Sequence, residues 1–89
     1  MKPYSYADWK HVVLTDDGQR AFLAVRDFVQ TALKQHGAVT AGKAMERASR
    51  LGDSFSMMAC VDRLIELGEV RVVVTATECH WQHQVLVAA

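Results

Sequence analysis

Nothing in this chain narrows its fold more than the passage from Asp53 to Val87, DSFSMMACVDRLIELGEVRVVVTATECHWQHQVLV. Asp53 or Ser54 supplies the side-chain oxygen that opens a helix. Met57, Cys60, Val61, Leu64 and Leu67 then recur at the i, i+3, i+4 spacing of one buried helical face. Gly68 stops that helix. Glu69 to Thr75 is rich in β-branched residues, and Gln82 to Val87 alternates polar and apolar positions, so two strands follow. Residues 76–81 are left as the turn between them.

Upstream, the longest periodic segment runs from about Gly18 to His36. Phe22, Val25, Val29, Ala32 and Leu33 share one face, with Phe28 at its margin. Thr15, Asp16 and Asp17 offer N-cap oxygens, and Gly37 ends the run. Ala38-Val39-Thr40 is one small strand or an extended link. Thr40 caps a further helix from Ala41 to about Arg50, buried through Ala44, Met45 and Ala48, and Leu51-Gly52-Asp53 is a tight turn. In the N-terminal arm, Ser5 and Asp8 have the spacing of a capping box, which favours a helix through about Val13. The β-branched pair Val12 and Val13 makes a strand at 11–14 the competing reading. Trp9, Val12 and Leu14 are expected to cover one side of the core. At 89 residues and 51% hydrophobic, the chain suits a single α+β domain over 1–89. Its parts are an arm (1–15), a helical part (16–68) and a strand pair (69–87).

Helix, short link, helix, tight turn, helix and two-stranded hairpin is an order that resembles the winged helix-turn-helix superfamily across about Asp16 to Val87. The sharpest local match is Val61-Asp62-Arg63-Leu64-Ile65-Glu66-Leu67-Gly68-Glu69-Val70. The resemblance implies a small winged-helix domain of three helices plus a C-terminal β-hairpin (the wing), with a short N-terminal helix or arm. It also implies a DNA-binding, transcription-regulator-like protein whose third helix enters the major groove. The groove-facing positions would then be Ser54, Phe55, Ser56, Ala59, Asp62 and Arg63. Symmetric half-sites would imply a homodimer, joined through the aromatic arm at Tyr4, Tyr6 and Trp9 or an unpaired hairpin edge.

The residues themselves weigh on that expectation from both sides. Lys43, Arg47 and Arg50 recur at i, i+4 and i+7, a basic face that would meet phosphates or, with Glu46 beside it, simply face solvent. With Ser54, Ser56 and Arg63 they make up the candidate DNA-binding set. Yet ten basic residues balance ten acidic ones, whereas phosphate binding draws on a basic excess. Of the groove-facing positions only Arg63 suits base reading, and Asp62 and Glu66 would repel phosphate. The alternative is a protein-interaction module on the same scaffold, binding through Phe55, Met58 and Trp81.

Catalysis and cofactors find little support. Cys79, His80 and His83 cluster near the turn, but a metal needs about four ligands in suitable geometry. Cys60 lies on the apolar stripe, where a buried thiol acts as a small hydrophobe. Gly42-Lys43 lacks the glycines of a phosphate-binding loop. No enzyme, metal or cofactor is therefore expected. Met1 to Leu14 lacks the pattern of a signal peptide, and no stretch approaches the roughly 18 to 20 apolar residues of a membrane span. A cytoplasmic protein with no membrane partner is the expectation.

Overall fold

The computed structural model describes residues 4–73 and 84–89. Its elements are α1 (Tyr6–Val13), α2 (Asp16–His36), β1 (Val39–Thr40), α3 (Ala41–Glu46), a 3-10 turn (Ser49–Leu51), α4 (Ser54–Glu66), β2 (Val70–Val72) and β3 (Val85–Ala88). The three strands form one antiparallel sheet in the order β1-β3-β2. Val39 faces Leu86 on one side of β3, and Val70 faces Ala88 on the other. The C-terminal strand pair thus recruits the short 39–40 strand into an α+β fold with four helices and three strands among the described residues.

Caps fix where the helices begin. The Thr15 hydroxyl accepts the Gly18 amide at 3.0 Å and starts α2, which ends at Gly37 with a left-handed φ of 79°. Thr40 receives the Lys43 amide at 3.3 Å and starts α3. Along α2, Ala21, Val25, Val29 and Ala32 are buried, while Phe22, Phe28 and Leu33 flank that row half-buried. They pack with Ala44 and Met45 of α3, Val61 and Leu64 of α4, and Val70 and Leu86 of the sheet. The small alanines let the helix backbones approach closely.

Several expectations need correction. α3 ends at Glu46, not near Arg50, and the chain continues as a 3-10 turn. Met45, Ala48 and Leu51 recur every three residues, so the tighter winding keeps all three toward the core. The arm is helical over Tyr6–Val13, and Ser5 stands at the cap position without a side-chain cap bond. Val13 is buried and Leu14 is 61% exposed, because the winding of α1 carries Leu14 outward. On α4, Met58 is buried at 3%, while Leu67, just past the last turn, is 47% exposed. The third strand spans Val85–Ala88 among the described residues, and the expected start at Gln82 and turn at 76–81 lie outside them.

One close approach joins α1 to α2. The Val12 carbonyl accepts both the Thr15 hydroxyl at 2.7 Å and the Thr15 amide at 3.2 Å. Gly18 sits directly beneath it, and a Cβ at Gly18 would fall 1.7 Å from that oxygen. Alanine ordinarily favours a helix by up to about 1 kcal/mol over glycine. Here Gly18→Ala should instead lower the unfolding free energy by roughly 3 kcal/mol, because backbone must move. Gly37→Ala, strained but unobstructed, should cost only about 1 kcal/mol. Urea denaturation of the two variants tests the order.

Candidate interaction surfaces on helices α3 and α4

Asp53 organises the start of α4. Its Oδ1 accepts the amides of Phe55 (2.8 Å) and Ser56 (3.4 Å), and its Oδ2 accepts the Ser56 hydroxyl at 2.6 Å. The Ser56 hydroxyl is the chief cause holding the Asp53 carboxyl below its usual range, with the two amides assisting against some desolvation. Ser56 is consequently 6% exposed and committed to the cap, so it does not face outward as expected. Ser54 is exposed.

Phe55, Ala59, Asp62 and Glu66 follow at i, i+4, i+7 and i+11, which places them along one line of α4. That line lies under the N-terminal segment. The ring of Tyr4 meets Phe55 edge-on at 5.3 Å, and Trp9 meets it at 5.5 Å. Ala59 is completely buried. The Tyr4 hydroxyl donates to Asp62, the Tyr6 hydroxyl donates to Glu66 at 3.0 Å, and Lys10 Nζ lies 2.8 Å from Glu66. Arg63 also pairs with Glu66. The aromatic arm is therefore turned inward onto α4, where Tyr4, Tyr6 and Trp9 are half-buried.

The acids on this line respond differently to their settings. Lys10, then Arg63 and Tyr6, hold the Glu66 carboxyl down at about 2. Burial raises the Asp62 carboxyl, and the Tyr4 hydroxyl partly offsets it. Desolvation, then the bond to Asp62, lifts the Tyr4 phenol far above its normal value, and Tyr6 rises to about 12 through burial and Glu66. On the core side of α4, burial pushes the Cys60 thiol up to about 11, so it stays protonated and poorly nucleophilic at neutral pH.

A second surface surrounds α3. Lys43, Arg47 and Arg50 are exposed, and the Arg47 guanidinium sits 4.5 Å from the centre of the Phe28 ring. Lys43 lies on an open groove of about 540 Å³ whose apolar lining includes Phe28, Ala32, Val39 and Val85. Glu46, expected to neutralise this face, lines a separate depression with Met45 and Met57. A third surface lies where α1, α2 and α4 meet. There Leu14, Leu23 and Leu67, the exposed large hydrophobics among the described residues, line one depression with Val13 and Phe22.

The structure thus brings Lys43 and Arg47 together around α3, with Arg50 on the following turn, but places Arg63 apart with Glu66 at the leucine depression. Of the expected protein-binding residues, Phe55 lies against Tyr4 and Trp9, and Met58 is in the core. Trp81, Cys79, His80 and His83 lie outside the described residues. Among the described residues no group of three or more His, Cys, Asp or Glu could hold a metal, and no helix is long and apolar enough to cross a membrane. The three leucines were not singled out from the sequence, where Leu67 reads as core and Leu23 carries no periodic signal. No protein-family model, curated protein or solved structure matches the chain.

Glu66 gives the α1–α4 contact a pH dependence. Its folded value is depressed from 4.5 to about 2, so its stabilisation is complete above the unfolded value and disappears as pH falls toward 2. Asp62 runs the other way, because a raised carboxyl favours the folded state on protonation. Hydrogen exchange of the α1 amides should therefore accelerate as pH drops through this window, after correction for intrinsic rates. In Glu66→Gln, protection should be lower at neutral pH and flatter with acid. An unchanged profile in that variant contradicts the assignment.

Proposed function

We propose that the chain is a non-catalytic protein-interaction module on a winged-helix scaffold. The order α2, β1, α3, α4, β2, β3, with the sheet arranged β1-β3-β2, supports that scaffold. The observation that carries the interaction role is the convergence of exposed Leu14, Leu23 and Leu67 on one depression. Single exposed leucines are common on soluble proteins, whereas a cluster with an apolar floor favours a protein partner. A second copy of the chain suits it, since an apolar patch can meet itself across a two-fold axis.

The line on α4 argues in the same direction. A helix reading DNA must present donors to base edges. Here Phe55, Ala59, Asp62 and Glu66 contribute an aromatic ring, a methyl group and two carboxylates, and Tyr4, Tyr6, Trp9 and Lys10 occupy much of that line. Cys60, buried and protonated, is not poised as a nucleophile.

A DNA-binding regulator remains the second reading, favoured by one observation: Lys43, Arg47 and Arg50 are exposed and have no ion pair among the described residues. On that reading α3 and its turn contact phosphates while α4 stays covered.

Sedimentation and a DNA titration separate the two. The chain should dimerise at micromolar concentration, and Leu23→Glu should return it to monomer. Duplex DNA should bind no tighter than the roughly 10⁻⁴ to 10⁻⁶ M of non-specific contacts at physiological salt. A monomer throughout, combined with tight DNA binding lost on Arg47→Ala and Arg50→Ala, would replace the first reading with the second.

A further inference from the structure

We infer that the groove between α2, β1 and α3 is a docking site for an acidic peptide segment of another protein, anchored by one aliphatic or aromatic side chain. The inference rests on the reading of the chain as a protein-interaction module, and it concerns a different surface from the leucine depression.

The groove joins two chemistries. Its apolar lining is Phe28, Ala32, Val39 and Val85, drawn from α2, β1 and β3. Lys43 lines it, Arg47 lies over Phe28 at 4.5 Å, and no carboxylate lines it among the described residues. Glu46, beside Arg47 in sequence, lines another depression, and Asp27, next to Phe28, is not among the groove's described lining residues. In a chain of zero formal charge the positive character of this spot is local, and it selects an anionic partner.

The apolar part decides which anionic partner. A nucleic-acid backbone could satisfy Lys43 and Arg47 but would leave the Phe28 and Val39 surface uncovered. A peptide covers both, with its anchor on the ring and its carboxylates on the cations. About 540 Å³ is more than one side chain requires and falls within the usual range of ligand pockets, so flanking residues also fit. β1 is an edge strand in the described sheet, so extended backbone can run beside it. Arg47 is already seated on Phe28, so little ordering is left to occur on binding.

A nitrogen-15 NMR titration tests this with a short glutamate-rich peptide carrying one central leucine. Shifts should concentrate on the amides of Thr31, Gln35, Ala38, Thr40, Lys43 and Val85. Lys43→Glu should weaken binding about tenfold, as loss and reversal of one close charge pair allows. Replacing the peptide leucine by alanine should weaken it similarly. Lys34→Glu, on α2 but not lining the groove, should leave the affinity unchanged. No shifts at millimolar peptide, shifts centred elsewhere, or binding indifferent to the leucine would overturn the inference. Identical shifts with duplex DNA at lower concentration would also overturn it in favour of a phosphate site. Failure of the peptide while Leu23→Glu still abolishes dimerisation removes the groove alone, whereas failure of both removes the interaction module.

Discussion

The Val12 carbonyl governs more of this molecule than its position in a short loop suggests. It ends α1, accepts two bonds from Thr15, and rests on a helix residue with no side chain. Those contacts fix the angle at which α1 leaves α2. From that angle Tyr4, Tyr6, Trp9 and Lys10 fall along α4, and Val13 reaches the core. A bulkier Gly18 would push the two helices apart, and the surface of α4 would change with them. The availability of α4 to any partner is therefore set about forty residues upstream of it.

α4 is consequently packed on two sides, and its sequence carries both requirements. Cys60, Val61 and Leu64 meet the core, while Phe55, Asp62 and Glu66 meet Tyr4 and α1. The second contact is polar as well as aromatic, which sets its strength. Bonds between tyrosine hydroxyls and carboxylates are directional and charge-assisted, but Glu66 and its cationic partners stay near water, where such pairs contribute modestly. The aromatic edges of Tyr4 and Trp9 on Phe55 supply the apolar part of the contact.

This double packing also explains what could be read from the sequence. α2 was legible because its residues obey a single buried face and its ends carry Thr15 and Gly37. α4 was legible as a helix, but the one-face assumption sent Met58, Ser56 and Ala59 outward when all three are buried. Ser56 reads as outward because its hydroxyl looks exposed and polar until its partner, Asp53, is seen beside it. The early end of α3 depends on a three-residue recurrence too short to show above helical periodicity. The basic face at Lys43 and Arg47 was visible, whereas its groove was not, since Phe28, Val39 and Val85 come from three separate elements.

Arginine placement shows why composition alone could not settle the partner. Arg63 is the cation that base reading would favour, yet Glu66, three residues on and already drawn toward Lys10 and Tyr6, takes it up. Arg47 has the same side chain and meets an aromatic face instead of a carboxylate, so its charge remains available to a ligand. Neutral overall charge thus conceals an uneven division. Asp62 and Glu66 are engaged by the N-terminal segment along α4, while the exposed cations Lys43, Arg47 and Arg50 gather around α3. α4 is therefore covered along one line by the N-terminal segment, while the leucine depression and the groove beside α3 stay open.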